Sequence, residues 1–245
     1  MNNEFNNKVI LITGASSGLG FNLAKFFLNK GAKIVSISRR KKNLITKNNK
    51  LKHISFDLTN FKNYEVLFKK IPNLFGPIDY FIHAAGVHFI KPIRFISSRD
   101  IDKALCINLK SPILISKYFQ DKKIFKRPCS VVFIASVMAI VGSSGLSIYS
   151  ASKSGLVGFT KSLSIELSKQ MIRVNCISPG IVKSPLYRDY SKQLTDEMNK
   201  KIVENHPLGL GTFSDVNNSI CFLLSSESKW ITGHNLIIDG GYSVQ

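Results

Sequence analysis

The sequence has few of the residues that hold small secreted proteins and metal centres together. Its 245 residues include only four cysteines, which are widely spaced and form no Cys-x-x-Cys pair. The five histidines show no metal-ligand spacing either. Disulfide frameworks and zinc sites need paired or closely spaced ligands, so we expect reduced, packed thiols and no metal.

Long apolar runs are also missing. No stretch reaches the roughly 20 apolar residues that a membrane-spanning helix needs, so we expect no membrane span. Near the start of the chain, the apolar run VILI is too short for a signal peptide and glycines follow at once. We therefore expect a cytoplasmic protein.

Acidic residues are scarce. The chain has 15 Asp and Glu against 34 Lys and Arg, a net charge of +19. Such an excess can attract nucleic acid, an anionic lipid surface or an acidic carrier protein. The basic residues are dispersed, however, and no interleaved aromatic and basic pattern of the kind that stacks bases is present. We favour a generally basic surface and expect no nucleic-acid partner.

Strand-like and helix-like segments alternate along the chain. The apolar segment 8–13 is followed by a glycine-rich turn, a helical segment that stops at Gly31, and a second strand at 32–38. This order is the opening βαβ unit of a doubly wound sheet. Further strands are predicted at 53–58, 79–86, 130–136, 172–180 and 234–241, and helices at about 60–71, 98–121, 149–169 and 214–226.

The alternation predicts an α/β fold, with a seven-stranded parallel sheet covered by helices on both faces. We find no linker, repeat or low-complexity segment, and therefore expect a single domain over 1–245. Only the region 183–213 lacks clear sheet character. Long excursions in compact domains are often lids or binding loops, so a substrate lid is predicted there.

The glycine-rich turn is the first chemical motif. Residues 13–20, TGASSGLG, place three glycines between a strand and a helix. Glycine lets the backbone turn tightly and approach a pyrophosphate, and a helix N-terminus offers unpaired N–H groups to the anion. The spacing is GxxxGxG and not GxGxxG, but its place in a βαβ unit indicates dinucleotide binding. The candidate contacts are Gly14, Ser16, Ser17, Gly18, Leu19 and Gly20.

The end of the second strand indicates which dinucleotide binds. NAD sites usually carry an acidic residue there, whereas a 2′-phosphate calls for Arg. Here the strand ends in Ser38, followed by Arg39 and Arg40, with no carboxylate. NADP(H) is therefore favoured over NAD(H). The alternative is that this basic run is a solvated turn.

Tyr149 and Lys153 are four residues apart in a segment with helical character, so they share a helix face. A nearby cation lowers the pKa of a Tyr from its usual value of about 10, which suits proton exchange with an alcohol or carbonyl oxygen. Ser136 follows a strand-like run thirteen residues before the Tyr. A Tyr-x-x-x-Lys pair also occurs by chance on solvated faces, so the cofactor signals decide its meaning.

Together these motifs resemble the short-chain dehydrogenase/reductase family over nearly the whole chain. The turn 13–20 matches TGxxxGxG, and Ser136 with the YxxxK at 149–153 matches the active-site residues. Asn108 matches the Asn of the fourth helix. The end of the chain, 230–242, resembles the C-terminal strand that commonly packs across a tetramer interface in the family.

The resemblance implies a Rossmann-type fold and assigns roles. Tyr149 would donate a proton to the carbonyl oxygen and Ser136 would stabilise that oxygen. Lys153 would lower the pKa of Tyr149 and bind the nicotinamide ribose, and Asn108 would hold a water that connects Lys153 to solvent. The implied further cofactor contacts, with Asp57 at the adenine and the loop from Pro179 at the nicotinamide, are Asp57, Leu58, Ala84, Ala85, Gly86, Pro179, Gly180, Val182 and Ser184.

The chain departs from the family pattern after the fourth strand, where His83-Ala84-Ala85-Gly86 replaces the usual NNAG. Ala and Gly keep the backbone near the cofactor free of large side chains. We interpret His83 as a buried structural group and not as a catalytic base. Ser184 replaces the more common Thr and keeps a hydroxyl.

The candidate substrate contacts are Met138, Ile148 and Tyr187, and a mostly apolar wall suits an acyl chain. The chain looks most like the branch containing 3-oxoacyl-acyl carrier protein reductases, and its +19 charge would help an acidic carrier to dock. We expect a homotetrameric or homodimeric carbonyl reductase with a small-molecule or carrier-bound substrate. The alternatives are a reductase or dehydrogenase of a sugar or polyol in polysaccharide biosynthesis, or a non-catalytic nucleotide-binding regulator.

Overall fold

The computed structural model describes residues 4–40, 49–192 and 194–245, and contains one sheet of seven parallel strands. The spatial order is β3-β2-β1-β4-β5-β6-β7. The strands are β1 Val9–Thr13, β2 Lys33–Ser38, β3 Leu51–Ser55, β4 Ile78–His83, β5 Phe125–Ile134, β6 Ile172–Pro179 and β7 Asn235–Ile238. This is the predicted doubly wound α/β fold with a seven-stranded parallel sheet.

Helices cover both faces of the sheet, as parallel connections require. They are α1 Gly18–Asn29, α2 Tyr64–Lys70, α3 Pro72–Phe75, α4 Ser98–Leu105, α5 Ser111–Ser116, α6 Ser147–Ser168, α7 Pro185–Ser191, α8 Asp196–Glu204 and α9 Phe213–Leu224. In the part of the chain that the structure describes, no helix is long and apolar enough to cross a membrane.

Two apolar clusters, one on each face, hold the helices to the sheet. Side chains alternate along a strand, so Ile10 and Ile12 of β1 pack with Phe27 of α1 in one cluster. Leu11 points the other way and lies in the second cluster with Phe81. Strand β1 is buried along its whole length, which explains its uninterrupted apolar sequence.

The strand order creates a crevice beside β1. From β1 the chain moves outward through β2 and β3, and then returns to pair β4 with the other edge of β1. The connections that leave β1 and β4 therefore diverge, and ligands of doubly wound sheets bind at such a switch point. The glycine-rich turn after β1 and the segment 84–86 after β4 both lie there.

Two predicted element boundaries are wrong for identifiable reasons. Strand β5 begins at Phe125 and not at 130. Its first half is mostly polar, so the sequence did not predict it as strand, and its pairing with β4 shifts in register between Ile78 and Tyr80. The helix predicted at 98–121 is α4, a π-helical turn at Cys106–Lys110, α5 and a 3₁₀ turn. Pro112 has no N–H to give to the carbonyl four residues earlier, so the α-helical bonding is interrupted there.

The region 183–213 contains two short helices that the sequence did not predict, α7 and α8, and Gln193 between them lies outside the described residues. Ser184 and Thr195 cap these helices by accepting hydrogen bonds from Tyr187 N and Met198 N. The two ends of the excursion meet at a β-bridge between Val182 and Gly211. It is therefore a closed loop with a fixed base.

Phe81 should be a major source of stability. Its ring is fully buried and lies 5.4 Å from the Phe119 ring and 6.4 Å from the Phe133 ring, centroid to centroid. We expect Phe81→Ala to lower the free energy of unfolding by about 3–5 kcal/mol, measured by urea denaturation. The control is Phe95→Ala, because Phe95 is 56% exposed. Equal losses from the two substitutions would contradict this account of the core.

Candidate active site

The turn after β1 packs directly on the segment after β4. Gly14 has a φ of +72°, and a Cβ there would lie 2.6 Å from the Ala85 backbone. A Cβ on Gly20 would lie 2.5 Å from the Gly14 carbonyl oxygen. Neither position accepts a side chain, so glycine is required for the close contact at the switch point.

Gly18 serves a different purpose. It has a φ of +54° and no atom lies within 4 Å of the place of a Cβ, so the backbone borders open space. It begins α1, whose first turn has no acidic residue and no side-chain cap from Ser17. The unpaired N–H groups at this end can bind an anion. Ser16, half-buried, completes the turn, and Leu19 packs against the core.

At the end of β2, hydroxyl groups fix the backbone of the two arginines. Ser38 is buried and its hydroxyl donates to the Arg40 carbonyl oxygen at 2.9 Å. Ser55 donates to the Arg39 carbonyl oxygen at 3.0 Å. The Ser38 hydroxyl hydrogen is therefore used within the protein, whereas the side chains of Arg39 and Arg40 are exposed.

The segment after β3 lies beside this turn. The exposed Asp57 carboxylate accepts hydrogen bonds from the Thr59 backbone N–H at 2.9 Å and from the Thr59 hydroxyl at 2.8 Å. These bonds, the backbone one above all, lower the pKa of Asp57, and the nearby charge of Arg39 adds to the effect. Leu58 is buried and its carbonyl accepts from the Tyr64 hydroxyl. These hydrogen bonds fix the segment after β3 at the place where the family resemblance predicts the adenine of the cofactor.

His83 is fully buried at the end of β4. Its Nδ1 lies 2.9 Å from the Thr13 hydroxyl, which links the ends of β4 and β1. Burial and the nearby charge of Lys153 lower the pKa of His83 to about 3. The ring is therefore neutral and faces the protein interior, which fits our interpretation of a structural group.

Asn108 lies in the π-helical turn between α4 and α5 and is fully buried. Its Oδ1 accepts from Val87 N at 2.8 Å, and its Nδ2 donates to Val87 O at 3.0 Å and to Ser152 Oγ at 2.9 Å. The side chain thus holds the segment after β4 against α6. Pro112 has no N–H to donate to the Asn108 backbone carbonyl, so this carbonyl lacks its α-helical donor.

Tyr149 and Lys153 lie one turn apart on α6, as predicted, with Lys153 Nζ 5.8 Å from the centre of the Tyr149 ring. Lys153 is 4% exposed, and its Nζ donates to the Ile134 carbonyl oxygen at 2.7 Å. Burial lowers the pKa of Lys153 to about 8. Ser136 follows β5, and its hydroxyl accepts from Met138 N at 3.2 Å. It lies close enough to Tyr149 to lower the pKa of the phenol, so the three predicted residues meet at the carboxyl edge of the sheet.

The ionisation of Tyr149 differs from the expectation. Burial raises the pKa of Tyr149, and the nearby Ser136 hydroxyl opposes this only in part. The Lys153 ammonium group donates to the Ile134 carbonyl oxygen and lies 5.8 Å from the centre of the Tyr149 ring. At neutral pH the phenol therefore keeps its proton.

Gly86 connects the catalytic candidates to the crevice. A Cβ on Gly86 would lie 3.4 Å from Asn108 Oδ1 and 3.6 Å from Lys153 Nζ. Gly86 is exposed, whereas Ala84 and Ala85 are partly buried against the two apolar clusters. The predicted small residues thus leave open space directly above the buried ammonium group.

The segment after β6 closes the site. Pro179 ends the strand, and a Cβ on Gly180 would lie 2.9 Å from Asp239 Cα, so this glycine allows close packing on the end of the chain. Val182 forms the bridge at the base of the 183–213 excursion. The Ser184 hydroxyl accepts from Tyr187 N at 3.1 Å and so caps α7.

The three candidate substrate contacts, Met138, Ile148 and Tyr187, are partly buried. The ring of His88 packs edge-on against Tyr149 at a centroid distance of 5.0 Å. The sequence did not identify His206 as part of this region. Its Nε2 accepts a hydrogen bond from the backbone N–H of Ile181, which lies between the candidate cofactor contacts Gly180 and Val182. A lone histidine in a loop carries no sequence signal of such a contact.

Within the described ranges, no group of His, Cys, Asp and Glu can hold a metal ion.

A glycine-rich turn at the switch point of a doubly wound sheet, beside a Ser, a Tyr and a Lys, is the arrangement of a nicotinamide-dependent oxidoreductase of the Rossmann type. The chain belongs to the short-chain dehydrogenase/reductase family. Residues 14–243 match the family model described as enoyl-(acyl carrier protein) reductase. The chain is therefore an oxidoreductase.

Similar proteins cover the full length. The 3-oxoacyl-acyl carrier protein reductase FabG of Rickettsia typhi is 35% identical over 97% of this chain and 98% of its own. Carbonyl reductase family member 4 of Xenopus laevis is 37% identical over 96% and 97%. Among solved structures, 4-hydroxyisoleucine dehydrogenase complexed with NADH has a TM-score of 0.89 at 33% identity, covering 98% of this chain and all of that one. ElxO with NADP bound has a TM-score of 0.88 at 26% identity and the same coverage.

The buried ammonium group should make stability depend on pH. A Lys whose pKa is lowered in the folded state binds fewer protons there than when unfolded, so the free energy of unfolding rises with pH between the two pKa values. For Lys153 this window runs from about 8 to 10.5. We expect the difference in unfolding free energy, wild type minus Lys153→Met, to increase over that range, measured by urea denaturation. A constant difference would contradict the burial of a charged Lys153.

Proposed function

We propose that this chain is an NADP(H)-dependent oxidoreductase that interconverts a carbonyl and a secondary alcohol, with 3-oxoacyl thioesters as its substrates. The observation that carries the proposal is the meeting of Ser136, Tyr149 and Lys153 beside the open backbone of Gly86. The open space at Gly18 fits a dinucleotide that approaches the backbone closely, and the packing of Gly14 on Ala85 holds the turn in place. When bound, the nicotinamide supplies or accepts the hydride.

Each residue then has a task that its surroundings support. Tyr149 keeps its proton because it is buried, and so it is the acid that donates to the carbonyl oxygen in the reductive direction. Ser136 donates to the same oxygen and stabilises its developing charge. Lys153 would stabilise the phenolate that forms and would hold the nicotinamide ribose. A water on the Asn108 backbone carbonyl returns a proton to Lys153 from solvent.

The preference for NADP(H) rests on the turn after β2. Ser38, Arg39 and Arg40 place two exposed guanidinium groups there and no carboxylate. An arginine can pair with both oxygens of a phosphate, and it is the residue expected beside a 2′-phosphate. The similar structures bind either cofactor, NADH in one case and NADP in the other, so the proposal depends on this chain's own residues.

The thioester substrate is supported by three observations. FabG of Rickettsia typhi, one of the similar proteins, acts on 3-oxoacyl groups held by acyl carrier protein. The candidate wall of Met138, Ile148 and Tyr187 is mostly apolar and suits an acyl chain. The net charge of +19 favours association with an acidic carrier.

We further propose that residues 1–245 form one catalytic domain in which the excursion 183–213 is the substrate lid. The support is that the Val182–Gly211 bridge closes the base of the excursion, and Val182 is one of the candidate cofactor contacts. A cytoplasmic homotetramer or homodimer remains our proposal for the working protein. A sugar or polyol is the alternative substrate class, supported by the structural likeness to an aldohexose dehydrogenase of Thermoplasma acidophilum, at 28% identity and a TM-score of 0.88.

Cofactor preference is tested at Arg39. Arg39→Ala removes a cation that only the 2′-phosphate needs, so we expect the dissociation constant for NADPH to rise roughly tenfold and that for NADH to stay within about twofold. Fluorescence titration measures both. The control is Arg99→Ala, an exposed arginine on α4. Equal weakening for the two cofactors would refute the assignment of Arg39.

The proton donor is tested at Tyr149. Tyr149→Phe removes the hydroxyl while keeping the ring, so NADPH should bind as before and kcat/KM with acetoacetyl thioester should fall at least a hundredfold or so. Tyr118→Phe is the matched control, because Tyr118 stacks on Phe68 away from the site. Turnover at the wild-type rate in Tyr149→Phe would overturn the mechanism.

Substrate class is tested by NADPH oxidation over acyl thioesters, keto-sugars and small ketones. We expect the highest kcat/KM with the 3-oxoacyl thioesters, and a higher value for a carrier-bound thioester at low salt than at high salt. Turnover of keto-sugars without turnover of thioesters would replace our substrate by the alternative one.

A further inference from the structure

His206 lies immediately beyond α8, where the lid returns to the body of the protein, and it is only 3% exposed. Its Nε2 accepts a hydrogen bond from the Ile181 backbone N–H at 3.3 Å. Its Nδ1 lies 2.8 Å from the Ile202 carbonyl oxygen. Because a backbone N–H can only donate, Nε2 carries no proton, and Nδ1 is the donor to Ile202.

The contact with Ile181 reaches the loop of the proposed nicotinamide site. Ile181 lies between Gly180 and Val182, which are both candidate cofactor contacts. Its N–H is bound by His206, and its carbonyl oxygen accepts from Gly211 N at 3.0 Å. Both backbone polar groups of Ile181 are therefore held by the returning end of the lid.

The end of the chain supports the same junction. The His206 ring stacks on Tyr242, with centroids 4.8 Å apart and planes at 30°. Leu208 N donates to the Gly240 carbonyl oxygen at 3.0 Å, and the neighbouring Asp239 packs against Gly180. The imidazole thus lies between the lid, the loop after β6 and the C-terminal segment.

We propose that His206 is a positioning residue that couples the lid to the loop holding the nicotinamide end of the cofactor. This inference rests on the proposed function, because the role of that loop is part of it. The acceptor at Nε2 sets where Ile181 lies, and therefore where Gly180 and Val182 lie. A lid that moves without this bond leaves the loop free to shift away from the cofactor.

Two amide substitutions separate the two hydrogen bonds of the ring. The amide of a Gln reaches the place of Nε2, whereas that of an Asn reaches the place of Nδ1. We expect His206→Gln to bind NADPH within about twofold of the wild type, and His206→Asn and His206→Phe to bind it roughly five- to tenfold more weakly. The KM for NADPH should rise in parallel while kcat changes less than twofold or so.

The measurements are NADPH fluorescence titration, steady-state kinetics with acetoacetyl thioester, and thermal unfolding of each variant. The control is His234→Gln, because the His234 side chain is exposed. Unchanged NADPH binding in the Asn and Phe variants would overturn the inference while leaving the proposed function intact. Equal loss in all three variants, with a parallel fall in Tm, would show that the ring serves packing alone. A wild-type chain that binds no NADPH would refute the proposed function and this inference with it.

Discussion

The candidate site is arranged around the buried ammonium group of Lys153, whose acceptor in the described part of the chain is a backbone carbonyl oxygen and not a carboxylate. Lys153 donates to the Ile134 carbonyl oxygen, and its burial lowers its pKa to about 8. Placing a charge in the protein interior costs free energy unless hydrogen bonds compensate for lost water. Proteins retain such groups mainly at functional sites, where a perturbed pKa serves the reaction.

Several neighbouring features follow from this buried charge. His83 stays neutral, because its own burial and, after that, the nearby charge of Lys153 lower its pKa to about 3. Gly86 leaves space above the ammonium group, so that a ligand can approach it. Asn108 fixes the Val87 backbone through two hydrogen bonds and thereby keeps that space open. The π-helical turn at Asn108 is the local distortion that places its amide there.

The sequence was sufficient for the fold, which depends on short-range patterns. The candidate catalytic residues needed more, because Asn108, Ser136, Tyr149 and Lys153 were identified by resemblance to a family motif. Fully apolar strands and a glycine-rich turn identify a doubly wound sheet, and Tyr149 and Lys153 needed only helical spacing to share a face. The ionisation of Tyr149 was not predictable from that spacing. It depends on the burial of the phenol, which only the packed structure shows. The contact between His206 and Ile181 was missed because it joins separate segments of the chain. The lid helices are different, since Ser184 and Thr195 are local cap residues whose signal the sequence reading did not use.

The central claim is that Lys153 is a buried ammonium group next to a Tyr149 that keeps its proton. The most direct test is a ¹⁵N NMR titration of the lysine side-chain nitrogens in the cofactor-free protein, with Lys153→Met identifying the resonance. The account predicts that the pKa of Lys153 is about 8. A value near 10.5, that of an ordinary solvated lysine, would contradict it.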